Sequence, residues 1–231
     1  MNSEEIREAF LSYFESKDHL RVASSSLIPV GDPSMLLTIA GMVQFKPYFA
    51  GQATPPSKRL TSSQKAFRTS DIEVVGDATH LTMFEMMGNF SIGDYFKKEA
   101  IDFALEFVTT ILGLSKDRFS PTVHHTDDEA FDLWRQAGFP ATRIYRFGDE
   151  DNWWGPAGAE GPCGPCSEIF YDHGEALPGG PPGSAEQDGD RFIEIWNLVF
   201  MQYEQIGPGE RCDLPKPSVD TGMGLERMTA V

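Results

Sequence analysis

The stretch "RFIEIWNLVFMQYE", residues 191–204, predicts a long β-strand. Because side chains alternate across a strand, one of its faces carries apolar residues around a single amide. The residues of that face are Ile193, Ile195, Asn197, Val199, Met201 and Tyr203. Burying an amide without a partner costs about 1–3 kcal/mol. Either another side chain satisfies Asn197 in the core or a ligand does, and the strand alone leaves both interpretations open.

Two further strands are predicted upstream, from "SSQKAFRTS" (residues 62–70) and "HLTMFEMMGNFS" (residues 80–91), joined by the turn-like "DIEVVGDAT". A hairpin would bring Arg68 close to the face of the second strand that carries His80, Thr82, Phe84 and Met86. A guanidinium beside an aromatic ring is a common way to hold a nucleotide, with the cation on phosphate and the ring on the base. The alternative is a surface arginine and a core phenylalanine.

Helices alternate with these strands. Residues 2–16 predict a helix with Ser3 as N-cap, residues 127–138 a shorter helix closed by glycine, and residues 223–231 the start of another. Residues 94–113 predict the strongest helix, with one apolar side made of Phe96, Ala100, Phe103, Phe107 and Ile111. Residues 174–190 are rich in Gly, Pro and acid and predict a mobile surface loop. The pattern predicts an α+β domain around a largely antiparallel sheet.

The stretch "SVDTGMGLERM", residues 218–228, places charges of both signs beside glycines. Gly222 and Gly224 let the backbone approach a ligand closely, and the predicted junction with a helix favours anions. Arg227 can contact phosphate, whereas Asp220 can bind an ammonium group. The combination suits a ligand with an amino acid at one end and a phosphate at the other. The alternative is a tight turn with a surface ion pair.

Composition narrows the class of protein. The net charge is −16 and there is no dense Lys/Arg run, so the chain offers little surface for nucleic acid phosphates. No apolar run approaches the roughly 20 residues needed to span a bilayer, and the polar start is unlike a secretory signal. Three cysteines favour a reducing cytoplasm over a disulfide framework. We expect an ordered, cytoplasmic globular domain.

The sequence "CGPC", residues 163–166, imitates a thioredoxin-type redox pair. It stands among glycines and prolines before a predicted strand, rather than at the start of a helix. A zinc site from Cys163, Cys166 and His173, with His124 or His125, is a second interpretation. The third is a rigid loop that shapes a pocket near Trp154.

Several of these segments resemble the catalytic domain of class II aminoacyl-tRNA synthetases, and most closely that of the alanyl-tRNA synthetases. The resemblance is carried by "FEMMGNFSIGDYFKKEA", "GPCGPCSEIFYDHG", "IEIWNLVFMQ" and "DTGMGLER", and it covers essentially the whole chain in the right order. Residues 64–90 correspond to motif 2, residues 218–231 to motif 3, and the first helix and strand to motif 1. The resemblance implies an antiparallel sheet flanked by helices and one aminoacylation core over residues 1–231.

The resemblance also implies roles for individual residues. Arg68 would bind the ATP α-phosphate and the transition state, and Phe84 would stack on adenine opposite Arg227, with Gly224 in the same ATP site. The implied alanine site consists of Trp154 and Val199 as walls, Asn197 at the substrate carboxylate, Asp220 at the α-ammonium and Gly222 leaving room for the substrate. The implied reaction is attack of the alanine carboxylate on the ATP α-phosphorus. It implies Mg²⁺ with the pyrophosphate, although the sequence does not identify its ligands.

The chain departs from the pattern at three places. The loop between the motif 2 strands is short, and Thr79 and Ile39 stand where the family usually has Arg and Asn. The chain ends at Val231, inside motif 3, so we expect a fragment without the tRNA-recognition, editing and C-terminal regions. Such a fragment would perform at most adenylation of alanine and contact tRNA(Ala) weakly. The rival hypotheses are an inactive binding module and an enzyme that loads a carrier other than tRNA.

Overall fold

The computed structural model describes residues 1–29, 35–70, 72–77 and 79–231. The strands over these ranges are β1 (Leu20–Arg21), β2 (Arg59–Phe67), β3 (Met83–Ser91), β4 (Phe119–His124), β5 (Tyr145–Phe147), β6 (Trp153–Trp154), β7 (Gly161–Asp172), β8 (Phe192–Gly207) and β9 (Glu210–Gly224). The helices are α1 (Ser3–Glu15), α2 (Lys46–Phe49), α3 (Lys97–Glu106), α4 (Asp128–Gln136), α5 (Asp149–Asn152) and α6 (Leu225–Thr229). None of the helices in the described ranges is long and apolar enough to cross a membrane.

The described strands form one sheet in the order β1-β2-β3-β9-β8-β7-β4-β5, and β6 pairs with β7 beside this path. The β1/β2 and β4/β5 pairs are parallel and the other pairs are antiparallel. The predicted α+β class with a largely antiparallel sheet is therefore confirmed. The predicted hairpin of residues 62–91 is the β2/β3 pair, although Asp71 and Ala78 of its connection lie outside the described residues.

Strand β8 lies in the middle of the sheet and divides the core as its alternation predicts. Trp196, Leu198 and Phe200 point to the larger cluster, where they pack with the first helix and with the chain around residue 107. Val199 and Met201 point to the other cluster, below the candidate site. Rings of Phe10, Phe14 and Phe107 surround Trp196 with centroid separations of 5.6, 6.4 and 5.9 Å. The face of β8 that carries Asn197 is thus held in place by an aromatic cluster behind the sheet.

The N-cap of helix α1 lies one residue earlier than predicted. Asn2, not Ser3, is the N-cap: its side-chain oxygen accepts a hydrogen bond from the Glu5 backbone N–H at 2.9 Å. The Glu5 carboxylate accepts in return from the Asn2 backbone N–H at 2.9 Å, which completes a capping box. An asparagine followed three residues later by a glutamate satisfies two free amide groups, whereas Ser3 satisfies none here.

The long helix predicted over residues 94–113 is shorter and changes pitch. Regular α3 covers Lys97–Glu106, and Phe107–Ile111 continues as a π-helical turn before Gly113, whose φ is +72°. The wider π turn rotates the last residues around the axis. Ile111, predicted to lie on the apolar side, is therefore exposed, while Val108 is fully buried.

Candidate active site

A cavity of about 320 Å³ opens over the middle of the sheet. Its walls come from the β2/β3 hairpin, the β6 segment, strands β8 and β9 and the first turn of α6. All nine predicted site residues line it: Arg68, Phe84, Trp154, Asn197, Val199, Asp220, Gly222, Gly224 and Arg227. The sheet topology explains this meeting, because β3, β9 and β8 are direct neighbours.

Asp220, the one carboxylate among the nine predicted site residues, is buried. It lies on β9 opposite Val199 of β8 and is 5% exposed. Among the described residues no hydrogen-bond donor or cation offsets this burial, and desolvation raises the pKa of Asp220 to about 7. A buried carboxylate in this state gains a large electrostatic benefit from a cationic ligand.

Asn197 lies next to Asp220 in the sheet, opposite Gly222 of β9. Its Oδ1 atom is buried and has no hydrogen-bond partner in the described protein. The core therefore does not satisfy this amide fully, and the oxygen is available to a ligand that donates a hydrogen bond. At Gly222 a Cβ atom would lie 2.8 Å from the Met86 Sδ atom, so the glycine keeps the floor of the cavity open.

Arg68 and Phe84 meet across the hairpin as predicted. The Arg68 Cζ atom lies 5.3 Å from the centre of the Phe84 ring, and both side chains are half-buried. The Arg68 Nε–H donates to the Ile39 carbonyl at 3.0 Å, which fixes the guanidinium at the cavity wall. Ile39, one of the two residues that depart from the family pattern, thus contacts the arginine through its backbone carbonyl.

Arg227 projects from α6 toward the opposite wall. Its Nη1 donates to the Glu194 carbonyl and to the Glu194 carboxylate, both at 3.0 Å. Its Nε donates to the Thr79 carbonyl at 3.2 Å. Thr79, the other departing residue, therefore also reaches the site through its backbone carbonyl, which ties the connection between β2 and β3 to α6.

The sequence interpretation missed a set of carboxylates that share the cavity: Glu150, Asp151, Glu168, Glu194 and Glu226. Burial, together with repulsion from Glu194 and Asp151, raises the pKa of Glu168 well above its usual range. Burial also raises the pKa of Glu226. A signal was present, because Glu168 and Glu194 are charged residues inside predicted buried strands, where an unpaired charge is costly.

The "CGPC" segment is part of strand β7 and not a loop before it. Gly164 and Pro165 pair with Trp154 and Trp153 of β6, and the register shifts between Cys163 and Cys166. The prolines and the shift explain why the segment looks irregular in sequence. The interpretation as a rigid segment near Trp154 is right about its location, because this segment pairs with the β6 strand at the cavity wall.

The other two interpretations of this segment find no support. Burial raises the pKa of both the Cys163 and the Cys166 thiol, so neither is prepared as a thiolate. Among the described residues no group of three or more His, Cys, Asp or Glu side chains could hold a metal ion. His124 instead bonds to Asp149 at 2.9 Å and to Thr126 at 2.8 Å.

Comparison with known proteins agrees with this geometry. A family model described as "tRNA synthetases class II (A)" matches residues 5–231. An alanine–tRNA ligase of Dehalococcoides mccartyi is 58% identical over 234 residues, covering 99% of this chain and 26% of that protein. One of Methylobacillus flagellatus is 56% identical over 244 residues, covering 100% of this chain and 28% of that protein. The chain thus spans about a quarter of the length of these curated relatives.

Solved structures support the fold. A histidyl-tRNA synthetase of S. aureus superposes with a TM-score of 0.56 at 10% identity, over 97% of this chain and 64% of that one. A structure of the RNA-binding domain of threonyl-tRNA synthetase from Cryptosporidium parvum also gives a TM-score of 0.56, at 13% identity, over 98% of this chain and 63% of that one. With the family match over almost every residue, the chain belongs to the class II (A) tRNA synthetase family.

Proposed function

We propose that this chain activates L-alanine with ATP, forming alanyl-adenylate and pyrophosphate, and that the alanyl group is destined for tRNA(Ala). One observation carries the proposal: a buried, unpaired carboxylate and an unpaired amide oxygen lie side by side, at Asp220 and Asn197. They share a cavity with two arginines and an aromatic ring. The alanine–tRNA ligase names of the relatives support the choice of amino acid and acceptor.

In this proposal the α-ammonium of alanine binds between Asp220 and Asn197. The Asp220 carboxylate supplies the opposite charge. The Asn197 Oδ1 atom supplies an acceptor, so it suits the ammonium, and the Asn197 amide nitrogen, which hydrogen-bonds the Cys166 thiol, lies toward the substrate carboxylate. Trp154 and Val199 limit the space for the side chain, and Gly222 leaves the floor open above Met86.

ATP would lie between the two arginines. Adenine stacks on Phe84, and the α-phosphate is held by Arg68, whose guanidinium is already fixed beside that ring. Arg227 opposes Phe84 across the adenine ring, as the resemblance implies, and its guanidinium can exchange its bonds to Glu194 for a phosphate contact. Gly224, next to Arg227, carries no side chain into this space. The alanine carboxylate oxygen then attacks the α-phosphorus, and the bond to the pyrophosphate oxygen breaks. Positioning and charge neutralisation, not a general base, lower the barrier of such a transfer.

Mg²⁺ fits this site as a companion of ATP. The described side chains offer no complete metal cage, but Mg²⁺ is usually held by one or two carboxylates plus substrate phosphates. Glu194 fits this role, because its carboxylate lies 3.0 Å from the arginine that would receive the phosphates. When bound, the ion neutralises charge on the pyrophosphate leaving group. We assign the protein to the cytoplasm and tRNA(Ala) to the longer protein, with weak contact to this chain alone.

The test is ATP–pyrophosphate exchange with each of the twenty amino acids. We expect exchange with alanine and none with large amino acids. Absence of exchange with every amino acid would favour the inactive binding module. Exchange with alanine, followed by transfer to a carrier protein but not to tRNA(Ala) when the full-length protein is supplied, would favour an enzyme that loads a carrier other than tRNA.

A further inference from the structure

Strands β3 and β9 are joined by side chains as well as by backbone, directly behind the candidate active site. Backbone pairs connect the two strands at Met87 and again at Ser91. Between these points the Asn89 backbone N–H donates to the Thr221 Oγ1 atom at 3.1 Å, where a regular ladder would use a backbone carbonyl. The Thr221 hydroxyl donates in return to the Asn89 side-chain oxygen at 2.6 Å. A reciprocal pair of hydrogen bonds therefore fastens β9 to β3 at Thr221.

Thr221 lies between two residues that line the cavity, Asp220 and Gly222. Because side chains alternate along a strand, the Thr221 side chain points to the opposite face of the sheet. Its partner on β8 is Leu198, which belongs to the larger core cluster on that face. The bonds to Thr221 thus hold the backbone on both sides of it without contact to a ligand.

A buried chain of hydrogen bonds holds the Asn89 side chain in turn. The Asn89 Nδ2 atom donates to the Tyr95 hydroxyl oxygen at 2.8 Å, and that oxygen lies 2.9 Å from the His19 Nε2 atom. His19, Tyr95, Asn89 and Thr221 are all buried. The chain connects β9 to the end of α1, and the proposed activation of alanine assigns no role to it.

The histidine sets the direction of these bonds. The His19 Nδ1 atom lies 3.1 and 3.0 Å from the carbonyl oxygens of Phe14 and Lys17, which only accept hydrogen bonds. Nδ1 therefore carries the ring proton, and because burial lowers the pKa of His19 to about 4, Nε2 is an acceptor. The Tyr95 hydroxyl then donates to Nε2, and its oxygen accepts from the Asn89 amide nitrogen. This arrangement fixes the Asn89 amide with its oxygen toward β9.

We propose that Thr221 and Asn89 are positioning residues for alanine binding, which hold β9 so that the Asp220 carboxylate meets the substrate ammonium. This inference rests on the proposed function, in which that carboxylate binds alanine. The two strands approach closely here, since a Cβ atom at Gly88 would lie 2.6 Å from the Thr221 carbonyl oxygen. Loss of the two bonds would let β9 shift between its backbone pairs with β3, and Asp220 would shift with it.

The kinetic test uses Thr221→Val, which keeps the shape of the side chain and removes its hydroxyl. We expect the KM for alanine in pyrophosphate exchange to rise about tenfold, while the KM for ATP changes little. Thr221→Ser keeps the hydroxyl and should restore the alanine KM. Thr61→Val is the matched control, because the buried Thr61 hydroxyl donates to the Gly88 carbonyl at 2.9 Å from β2 and does not reach β9. A normal alanine KM in Thr221→Val, or equal increases in Thr221→Val and Thr61→Val, would overturn the proposal.

Tyr95→Phe tests the chain at a second point and keeps the ring in the core. It should raise the alanine KM about three- to tenfold, because the Asn89 amide is no longer held in one orientation. Its effect should be smaller in a chain that already carries Thr221→Val, since both changes act through Asn89. An unchanged alanine KM in Tyr95→Phe, or effects of the two changes that simply multiply, would contradict the chain of bonds.

A measurement without alanine separates this proposal from the proposed function. The Asp220 carboxyl is titrated by ¹³C NMR in the empty chain, where burial raises its pKa to about 7. Thr221→Val should lower this pKa, because a shifted strand admits water to the carboxylate, and Thr61→Val should not. The same Asp220 pKa in all three chains would overturn the positioning role. Absence of alanine-dependent exchange in the unchanged chain, with the pKa difference present, would defeat the proposed function alone.

Discussion

At the scale of single residues, the site depends on groups that are buried before they have partners. Asp220 and Asn197 both carry oxygen atoms without a described protein partner, on neighbouring strands that the aromatic cluster holds rigid. Burying these oxygen atoms without partners costs folding free energy, which other interactions in the fold offset. A ligand that hydrogen-bonds to them removes this cost. In the proposed function, these unsatisfied oxygen atoms attract the ammonium end of the amino acid.

Replacing Asp220 by asparagine keeps the size of the side chain and removes its charge. A charge-assisted hydrogen bond contributes about 1.5–3 kcal/mol, so alanine-dependent exchange should fall roughly ten- to a hundredfold or more. ATP binding should change little, because Asp220 faces the amino acid end. Asp190→Asn, an exposed carboxylate in the 174–190 loop region, is the control. Exchange in Asp220→Asn that matches this control would disprove the role.

The pH dependence of alanine binding follows from the same carboxylate. Its pKa in the empty site is about 7, and only the ionised form attracts an ammonium group. Alanine affinity should therefore rise as the pH rises through 7, and this rise should be absent in Asp220→Asn. Stability should run the other way: the folded state holds one more proton than the unfolded state between the ordinary aspartate pKa and 7, so this group lowers stability as the pH rises through that window. Calorimetric titration and urea midpoints from pH 5 to about 8 would check both signs.

The walls at Trp154 and Val199 should exclude amino acids larger than alanine but not smaller ones. Valine and leucine overlap with them, whereas glycine lacks one methyl, and such a deletion gives about 1–3 kcal/mol of discrimination, or roughly ten- to two-hundredfold. Serine adds a hydroxyl that can reach the Asn197 amide. We expect measurable exchange with serine and glycine and essentially none with valine or leucine. Serine and glycine rates below about one ten-thousandth of the alanine rate would mean that the cavity discriminates by more than size.

At the scale of elements, the predictable parts are those whose pattern is local. The alternation of β8 identified the face of Asn197, and "FEMM" with Arg68 identified the hairpin, because both depend on side chains within one strand pair. The π-helical turn after Glu106 and the bulged strand at Cys163 were missed, since tertiary packing decides the pitch and the register there. The hydrogen bonds from Thr221 to His19 were also missed, because they join segments far apart in the chain.

Gly164 is the glycine of β7 that the packing requires most strictly. A Cβ atom there would lie 2.1 Å from the Phe200 carbonyl oxygen of β8, a backbone atom that cannot rotate away. Gly164→Ala should therefore push the two strands apart and lower the free energy of unfolding by about 1–3 kcal/mol or more. Gly148→Ala, where a Cβ atom meets nothing within 4 Å, is the matched control and should change little. Equal urea midpoints for the two variants would contradict the close contact between residue 164 and the Phe200 carbonyl.

Lys97 joins α3 to the start of α4 by a buried ion pair. Its Nζ lies 2.7 Å from the Asp127 Oδ1 atom, and the two side chains are 7% and 5% exposed. Lys97→Ala would leave the Asp127 charge buried without a cation, which costs about 3–5 kcal/mol. The neighbouring Lys98→Ala breaks only an exposed pair with Asp102 and should have no measurable effect on the unfolding midpoint. Similar decreases of the unfolding midpoint in both variants would show that burial of the Lys97–Asp127 pair does not determine its contribution to stability.

At the scale of the whole molecule, the charge distribution favours the proposed activation of an amino acid over the binding of RNA. The chain carries 35 acidic and 19 basic residues, and several of the arginines are already paired with carboxylates, as in Arg7–Glu85, Arg59–Asp94 and Arg191–Asp172. The two arginines of the cavity, Arg68 and Arg227, line the proposed ATP site. The field around the molecule therefore opposes RNA, while the field inside the cavity favours a small ligand with both charges.

The proposed function therefore predicts a measurable difference between alanine activation and tRNA charging by the 231-residue chain. Alanine-dependent exchange should proceed, whereas tRNA(Ala) should bind weakly, because few cations are available to release counterions from its phosphates. The logarithm of the association constant should fall with the logarithm of salt concentration with a slope no steeper than about −3, corresponding to roughly three phosphate contacts. Fluorescence anisotropy with labelled tRNA over about 50–300 mM salt would measure this slope. A much steeper slope, or charging of tRNA as fast as by a full-length alanine–tRNA ligase, would require a basic surface that the acidic charge balance and the ion pairs do not provide.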